Sequence, residues 1–282
     1  MFPVVRKEVL NPSTVRLVVR APEIAAAVRA GQFVVLRADS AGERIPITVE
    51  RSDTSAGTIS LVILVAGATT RLLSHKNAGD VLADVVGPLG VPDVTKGYER
   101  VLIIGGGVGC AVALPVARQM HIDGAYTHAL IGFRSADRVM LVCDFQAASD
   151  VCTLLTEDGT AGTSGRVTDE LMLVLQKDKK YDLVFAAGPL PMMRAVSEMT
   201  RPFGIKTVVS MNPIMIDGTG MCGVCRITVD GTIRFACVEG PSFDGHLVDY
   251  EEAIARASFY RDHERETDAH ICRLLGEVRA FD

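Results

Sequence analysis

Residues 211–241 read MNPIMIDGTGMCGVCRITVDGTIRFACVEGP, and the reading of the whole chain turns on them. The stretch holds three of the seven cysteines, spaced Cys222-x2-Cys225-x11-Cys237, with Asp217 five residues before the first. Gly218, Gly220 and Gly223 are interleaved with these side chains. A chain without Cβ atoms wraps closely and leaves its amide N–H groups free to point at sulfur.

A plant-type [2Fe–2S] site is spaced C-x4-C-x2-C…C. Here Asp217 fills the first position, so the spacing predicts a [2Fe–2S] cluster with Asp217, Cys222, Cys225 and Cys237 as metal ligands. A carboxylate is harder than a thiolate, which predicts a more labile iron site with a shifted potential. Three other readings stay open. A zinc site wants a fourth Cys or a His in paired short spacings, and the nearest His is His246. A redox C-x-x-C opens a helix after a strand, whereas Cys222–Cys225 lies between glycines and the strand-like RITV. Thiols also serve as small buried hydrophobes, although three within sixteen positions among glycines is unlike core packing.

The chain of 282 residues has room for two domains and a small appendage. No Lys/Arg cluster points to nucleic acid or anionic lipid, and no apolar run is long enough to span a bilayer. The start, MFPVVRKEVL, reads as a strand without the apolar core of a signal peptide. With an odd cysteine count, this predicts a cytoplasmic chain without a disulfide framework. Cys110, Cys143, Cys152 and Cys272 are expected to be packing residues.

Working back from the loop, the pattern changes twice. Val4–Val9, Val15–Arg20, Phe33–Ala38, Ile45–Glu50, Thr58–Val65 and Val81–Val86 are β-branched, roughly alternating runs separated by turn signals. Six such strands predict a small antiparallel barrel over residues 1–97, interrupted by a helical piece at Thr69–His75. From residue 98 apolar strands alternate with helical patterns. Val101–Ile104, Thr127–Phe133, Val151–Leu155, Tyr181–Ala187 and Thr207–Met211 read as strands. Cys110–Met120, Val167–Gln176 (with Thr168 a candidate cap) and Met192–Thr200 read as helices. That alternation predicts a doubly wound parallel α/β sheet over residues 98–211. The cluster segment then covers 212–249. A charged helix follows from Tyr250 to Arg279 within residues 250–282, with Glu251 and Glu252 early and Arg273 and Arg279 late, as the helix dipole prefers. It reads as a solvated face or as a docking helix.

The turn Gly105-Gly106-Gly107-Val108-Gly109 joins the first α/β strand to its helix. Bare amides at such a helix start favour a pyrophosphate. Cys110 stands where the strict G-x-G-x-x-G wants its third glycine, so the turn by itself also reads as a tight βα connection without ligand. A second glycine turn, Ala187-Gly188-Pro189, ends another parallel strand, and ligands of open sheets sit where such loops converge.

Barrel, nucleotide-type α/β domain and C-terminal iron–sulfur segment, in that order, resemble the ferredoxin–NADP reductase superfamily. The nearest branch is that of the dihydroorotate dehydrogenase electron-transfer subunits. The resemblance covers nearly the whole chain, and its diagnostic piece is Asp217-Gly-Thr-Gly-Met-Cys222-Gly-Val-Cys225. Within that branch the dihydroorotate enzymes have Cys in the first ligand position. The bifurcating group, the small subunits of NADH-dependent reduced ferredoxin:NADP oxidoreductases, has Asp, as this chain does. Arg44-Ile45-Pro46-Ile47-Thr48 resembles the family's flavin motif, in which Arg pairs with the FAD pyrophosphate and Thr bonds the isoalloxazine edge. Gly67-Ala68-Thr69-Thr70-Arg71-Leu72 resembles its segment beside the diphosphate, and Gly87-Pro88-Leu89-Gly90 the turn ending the barrel. Gly105, Gly106, Gly107 and Gly109 match its nicotinamide turn, and Gly188, Pro189 and Met192 its second nicotinamide segment. Arg134 suits a 2′-phosphate, whereas Asp144 repels one or binds ribose hydroxyls.

The resemblance implies FAD, a [2Fe–2S] cluster and NAD(H) as cofactors. It implies a larger flavin and iron–sulfur subunit as partner, with ferredoxin served indirectly. The expected function is electron transfer from NAD(P)H through flavin and cluster. No side chain is expected to act as catalytic acid or base, and the six histidines form no constellation. Two alternatives stay open: an electron-transfer subunit of a dihydroorotate, sulfide dehydrogenase or hydrogenase complex, and a non-redox nucleotide-binding regulatory subunit.

Overall fold

The structure, a computed structural model, describes residues 1–40, 42–177 and 180–275. The first part comprises β1 (Phe2–Asn11), β2 (Thr14–Arg20), α1 (Pro22–Ala27), β3 (Phe33–Arg37), β4 (Arg44–Asp53), β5 (Thr58–Leu64), α2 (Ala68–Ser74), β6 (Val81–Leu82) and β7 (Asp84–Leu89). Its strands lie in the order β6-β1-β2-β5-β4-β3-β7. Alternation decides which side chains turn inward: Leu17 and Val19 of β2 meet Ile59, Leu61 and Ile63 of β5 in one core. The expected single strand Val81–Val86 is two strands. Residues 81–82 pair with β1 and residues 84–89 with β3, so Ala83 alone joins the two edges and the barrel nearly closes. A β-branched run does not reveal where it changes partner. The short helix α1, absent from the sequence reading, starts on Pro22 with Glu23 in its first turn and buries Ile24 and Ala25.

The second part comprises β8 (Arg100–Gly106), α3 (Gly109–Ile122), β9 (Tyr126–Phe133), α4 (Val142–Gln146), β10 (Val151–Thr156), β11 (Thr163–Ser164), α5 (Val167–Lys177), β12 (Leu183–Ala187), α6 (Leu190–Thr200) and β13 (Lys206–Ser210). Its sheet is parallel in the order β11-β10-β9-β8-β12-β13. Alternate residues of β8 enter different cores: Val101 and Ile103 pack with α3, Leu102 and Ile104 with α5 and α6. Burial on both faces explains the unbroken apolar runs of the sequence. Thr168 is not a cap but lies in the first turn of α5. Asp169 closes that end, accepting the Arg166 N–H at 2.9 Å.

The remainder holds β14 (Arg226–Val229), β15 (Thr232–Phe235), α7 (Ala236–Glu239), β16 (Ser242–Asp244), α8 (Tyr250–Ala257) and α9 (Arg261–Leu275). β14 and β15 form a hairpin whose turn residues Asp230 and Gly231 both have positive φ, as a two-residue turn matching strand twist requires. β16 adds to the parallel sheet antiparallel to β13. The expected helix Tyr250–Arg279 is two helices with an elbow at Ser258–Tyr260, because α8 packs on α6 while α9 packs on α2. Arg279 lies outside the described residues. Of the cysteines expected to pack, Cys110 and Cys272 are buried, Cys152 is half-buried and Cys143 is exposed. Among the described residues no helix is long and apolar enough to cross a membrane.

Candidate functional site

The parallel sheet reverses its strand order between β8 and β12: β9, β10 and β11 lie to one side, β13 to the other. The two glycine turns leave the sheet at this switch point, where open α/β sheets take ligands. The structure brings them into contact. A Cβ on Gly109 would stand 2.2 Å from the Ala187 carbonyl oxygen, and one on Gly106 2.4 Å from Met192 Sδ. One on Gly188 would stand 2.7 Å from Met192 Cε and 3.2 Å from Gly106 Cα, and one on Gly106 would also stand 3.2 Å from Pro189 Cδ. Cys110, in the third glycine's place, is fully buried beneath Gly105. Gly107 has φ +55° and open space around it. A cleft of about 580 Å³ opens here, lined by Gly106, Gly107, Pro189 and Met192 and, from the barrel, by Asn11 and Ser13.

Arg134 lines the far end of the cleft with Glu157 and Arg166. Asp144 does not join it. It lies on α4, whose carboxylate faces the barrel: Oδ1 is 2.7 Å from Arg51 and Oδ2 3.4 Å from Arg16. In the structure the Asp144 carboxylate bridges barrel and sheet. Sequence distance hid this, since the partners are more than ninety residues away.

Arg44, Ile45, Pro46, Ile47 and Thr48 form the outer half of β4 and are exposed or half-buried, whereas Val49 and Glu50 after them are buried. The Arg44 guanidinium is 3.8 Å from Asp84, whose closer partner is Arg37 at 2.7 Å. The second expected flavin segment lies alongside, since Thr69 Oγ1 donates to Glu43 at 3.1 Å. Thr70 Oγ1 accepts the N–H groups of Ala66 and Gly67 at 2.9 and 3.0 Å and donates to the Gly67 carbonyl, which fixes the turn entering α2. Gly87 meets β3 closely: a Cβ there would stand 2.7 Å from Val34 Cγ1.

In the loop of residues 217–237, Cys225 and Cys237 are buried in an apolar nest with Phe33, Val35, Met215 and Ala236. Burial pushes the Cys237 thiol up to about 12, the neighbouring Cys225 adds to this, and the Gly220 amide opposes it. Cys222 is exposed. Asp217 accepts the N–H groups of Thr219 and Cys222, each at 2.8 Å, which holds its carboxyl below the usual range. The four expected ligands thus lie in one segment, Asp217, Cys222 and Cys225 before β14 and Cys237 in α7, but are not convergent. Among the described residues no three Asp, Glu, His or Cys side chains form a ready metal group. The donors nevertheless suit an iron–sulfur cluster. Two adjoining thiols in an apolar nest are costly as thiolates until a cation neutralises them, and an amide already points at one.

Residues 212–249 match the family described as the iron–sulfur cluster binding domain of dihydroorotate dehydrogenase B. Over 259 residues the chain is 43% identical to a dihydroorotate dehydrogenase B (NAD(+)) electron transfer subunit homolog of Thermotoga maritima, covering 92% of this chain and 91% of that protein. It is 30% identical over 249 residues to the dihydroorotate dehydrogenase B electron transfer subunit of Geobacillus thermodenitrificans, covering 85% and 94%. A chain of the solved NADH-dependent reduced ferredoxin-NADP oxidoreductase, a structure giving insight into flavin-based electron bifurcation, superimposes with TM-score 0.92 at 40% identity and 98% coverage of both. At the level of fold alone, a cytochrome P450 reductase of Amycolatopsis superimposes with TM-score 0.59 at 20% identity, covering 72% and 65%. Glycine turns meeting at a switch point, a barrel beside them and a thiol loop against that barrel therefore have their counterpart in relatives along nearly the full length, and the chain belongs to the family of dihydroorotate dehydrogenase B electron transfer subunits and their homologues.

Proposed function

We propose that this chain is the flavin and iron–sulfur electron-transfer subunit of a cytoplasmic oxidoreductase of the NADH-dependent reduced ferredoxin-NADP oxidoreductase type, working with a larger flavin and iron–sulfur subunit. The observation that carries the proposal is the seat of the thiol loop on the barrel. Gly218 has no room for a Cβ, which would stand 2.6 Å from Leu89 and 3.2 Å from Val35. Val35 pairs directly with Pro46, inside the strip Arg44–Thr48. Cluster loop and flavin strip are thus adjoining parts of one surface.

A bound flavin exchanges a hydride with the nicotinamide and single electrons with the cluster. The chain's own residues bind and orient. Thr48, with Ile45, Pro46 and Ile47, lines the isoalloxazine side, and Arg44 offers a cation to the diphosphate. Gly67, Thr69 and Thr70 hold the diphosphate turn, and Gly87 lets β7 close on β3. Gly105, Gly106, Gly107 and Gly109, with Gly188, Pro189 and Met192, hold NAD(H) at the switch point. Cys222, Cys225 and Cys237 would hold the cluster, with Asp217 as the fourth ligand. On this reading residues 1–97 serve FAD, 98–211 the nicotinamide nucleotide, 212–249 the cluster, and 250–282 form a terminal helical segment.

Anaerobic purification, followed by visible and EPR spectra before and after NADH, tests the proposal. The expected result is a flavin band bleached by NADH together with a rhombic signal from the reduced cluster. Zinc in place of iron, with no uptake of added FAD, would overturn it.

A further inference from the structure

Arg71 is 4% exposed, and its guanidinium grips Asp268 by two parallel contacts, Nε to Oδ1 at 3.1 Å and Nη2 to Oδ2 at 3.2 Å. Forked pairs of this kind are the strong and directional ones. The partners stand 197 residues apart. Asp268 belongs to α9, which packs on α2. The preceding helix α8 packs on α6, the helix carrying Met192, and on β14 of the thiol-loop hairpin. Residues 250–275 therefore run from the nicotinamide side of the molecule to the flavin side.

Between those anchors much of the segment faces outward. Phe259 at the elbow is 79% exposed, and residues 262–266 of α9 are exposed as well. Asp268 and, one turn on, the buried Cys272 lie on the inner side. On the receiving side, α2 has seven residues, too few to hold itself as a helix. The Arg71 N–H donates to the Gly67 carbonyl at 2.9 Å, and that carbonyl also takes the Thr70 hydroxyl. A shift of Arg71 is therefore felt directly at the Gly67–Thr70 turn.

We propose that α8–α9 is a strap between the two sides, latched by Arg71 and Asp268, which holds the Gly67–Thr70 turn in place and slows release of the flavin. The inference rests on the flavin reading of that turn. Arg71 and Asp268 are positioning residues that act through the turn. By reciprocity, FAD stabilises the docking of α9 by the same factor by which the docked latch raises FAD affinity at equilibrium.

The test uses the full chain loaded with FAD and its Asp268→Asn and Asp268→Glu variants. FAD release is followed by flavin fluorescence after dilution, and α9 docking by amide hydrogen exchange over residues 261–275 with and without FAD. The expected result for Asp268→Asn is release faster by about tenfold, with loss of the FAD-dependent protection of α9. Asp268→Glu restores most of both. A purely structural role of the pair would not make α9 exchange respond to FAD. Should Asp268→Asn fail to fold, Arg71→Lys in the full chain, which keeps the charge and loses the fork, provides the same release measurement. Release within twofold of native while α9 exchanges freely would overturn the strap and leave the flavin reading standing. A native chain that takes up no FAD would overturn the flavin reading itself.

Discussion

Arg118 of α3 meets Glu50 of β4 twice, its guanidinium reaching Oε1 at 3.2 Å and the Glu50 carbonyl oxygen at 3.1 Å. The helix that leaves the first glycine turn is thereby fastened to the strand that opens with Arg44. Glu50 is 1% exposed and has Arg16 on its other side at 3.5 Å. Arg16 and Arg51 in turn hold Asp144, so one mixed-charge network spans barrel and sheet. Arg118→Met removes one arm and leaves a buried carboxylate under-paired. The expected cost is roughly 1–3 kcal/mol, seen as a lower urea midpoint. An unchanged midpoint would show that Arg16 alone suffices.

The glycines separate into those needed for packing and those facing space. Gly109→Ala drives a Cβ into the Ala187 carbonyl and parts the two glycine turns. Expected are a loss of several kcal/mol and failure of NADH to reduce bound flavin. Gly67→Ala meets nothing within 4 Å and keeps an extended φ. Its stability is expected to stay within about 0.5 kcal/mol of native, while FAD affinity falls because the added methyl enters the proposed diphosphate turn. Paired thermal melts and FAD titrations check both.

Cys237→Ser removes one of the two nested thiols. Iron and sulfide content is expected to drop to near zero, whereas NADH-to-flavin reduction persists, since the switch-point cleft is built from other residues. For Asp217→Cys, exchange of a hard for a soft ligand predicts altered EPR g values and midpoint potential. Unaltered spectra would mean that Asp217 serves only the Thr219 and Cys222 amides.

The buried His128 and half-buried His246, and the carboxyl of Asp93, give opposite pH dependences. Burial, helped by Arg100, lowers the pKa of His128, and burial likewise lowers that of His246. The unfolded chain binds these protons more readily. Their contribution is therefore full above the ordinary histidine pKa and is lost as pH falls through the lowered values. Urea midpoints are expected to decline below about pH 6.5, less steeply in His128→Gln.

Burial raises Asp93 to about 6, against an opposing bond from Ser242. A raised carboxyl favours the fold when protonated, and that contribution disappears as pH rises through the folded value. Asp93→Asn is expected to stabilise the chain by up to ~3 kcal/mol at pH 8 and by little at pH 4. Equal midpoints for native and variant at pH 8 would count against a buried charge at this position.

Period and local motif sufficed for much of this protein. Alternating β-branched runs announced the barrel, unbroken apolar runs announced strands covered on both faces, and the D-x4-C-x2-C spacing marked the cluster loop. These signals are short-range: each depends on neighbours within one element, where backbone geometry fixes which side chains share a face. The sequence also picked out both glycine turns, but only the strand order placed them together, with Gly109 against Ala187 at the switch point. What it could not contain were choices of partner between distant segments. Nothing local to Asp144 announces that Arg16 and Arg51 meet its two oxygens. The run 81–86 reads as one strand until its two parts pair with opposite edges of the barrel. The terminal helix reads as continuous until α6 claims its first part and Arg71 its second. Such pairings depend on which surfaces packing brings face to face, and that is a property of the folded chain as a whole.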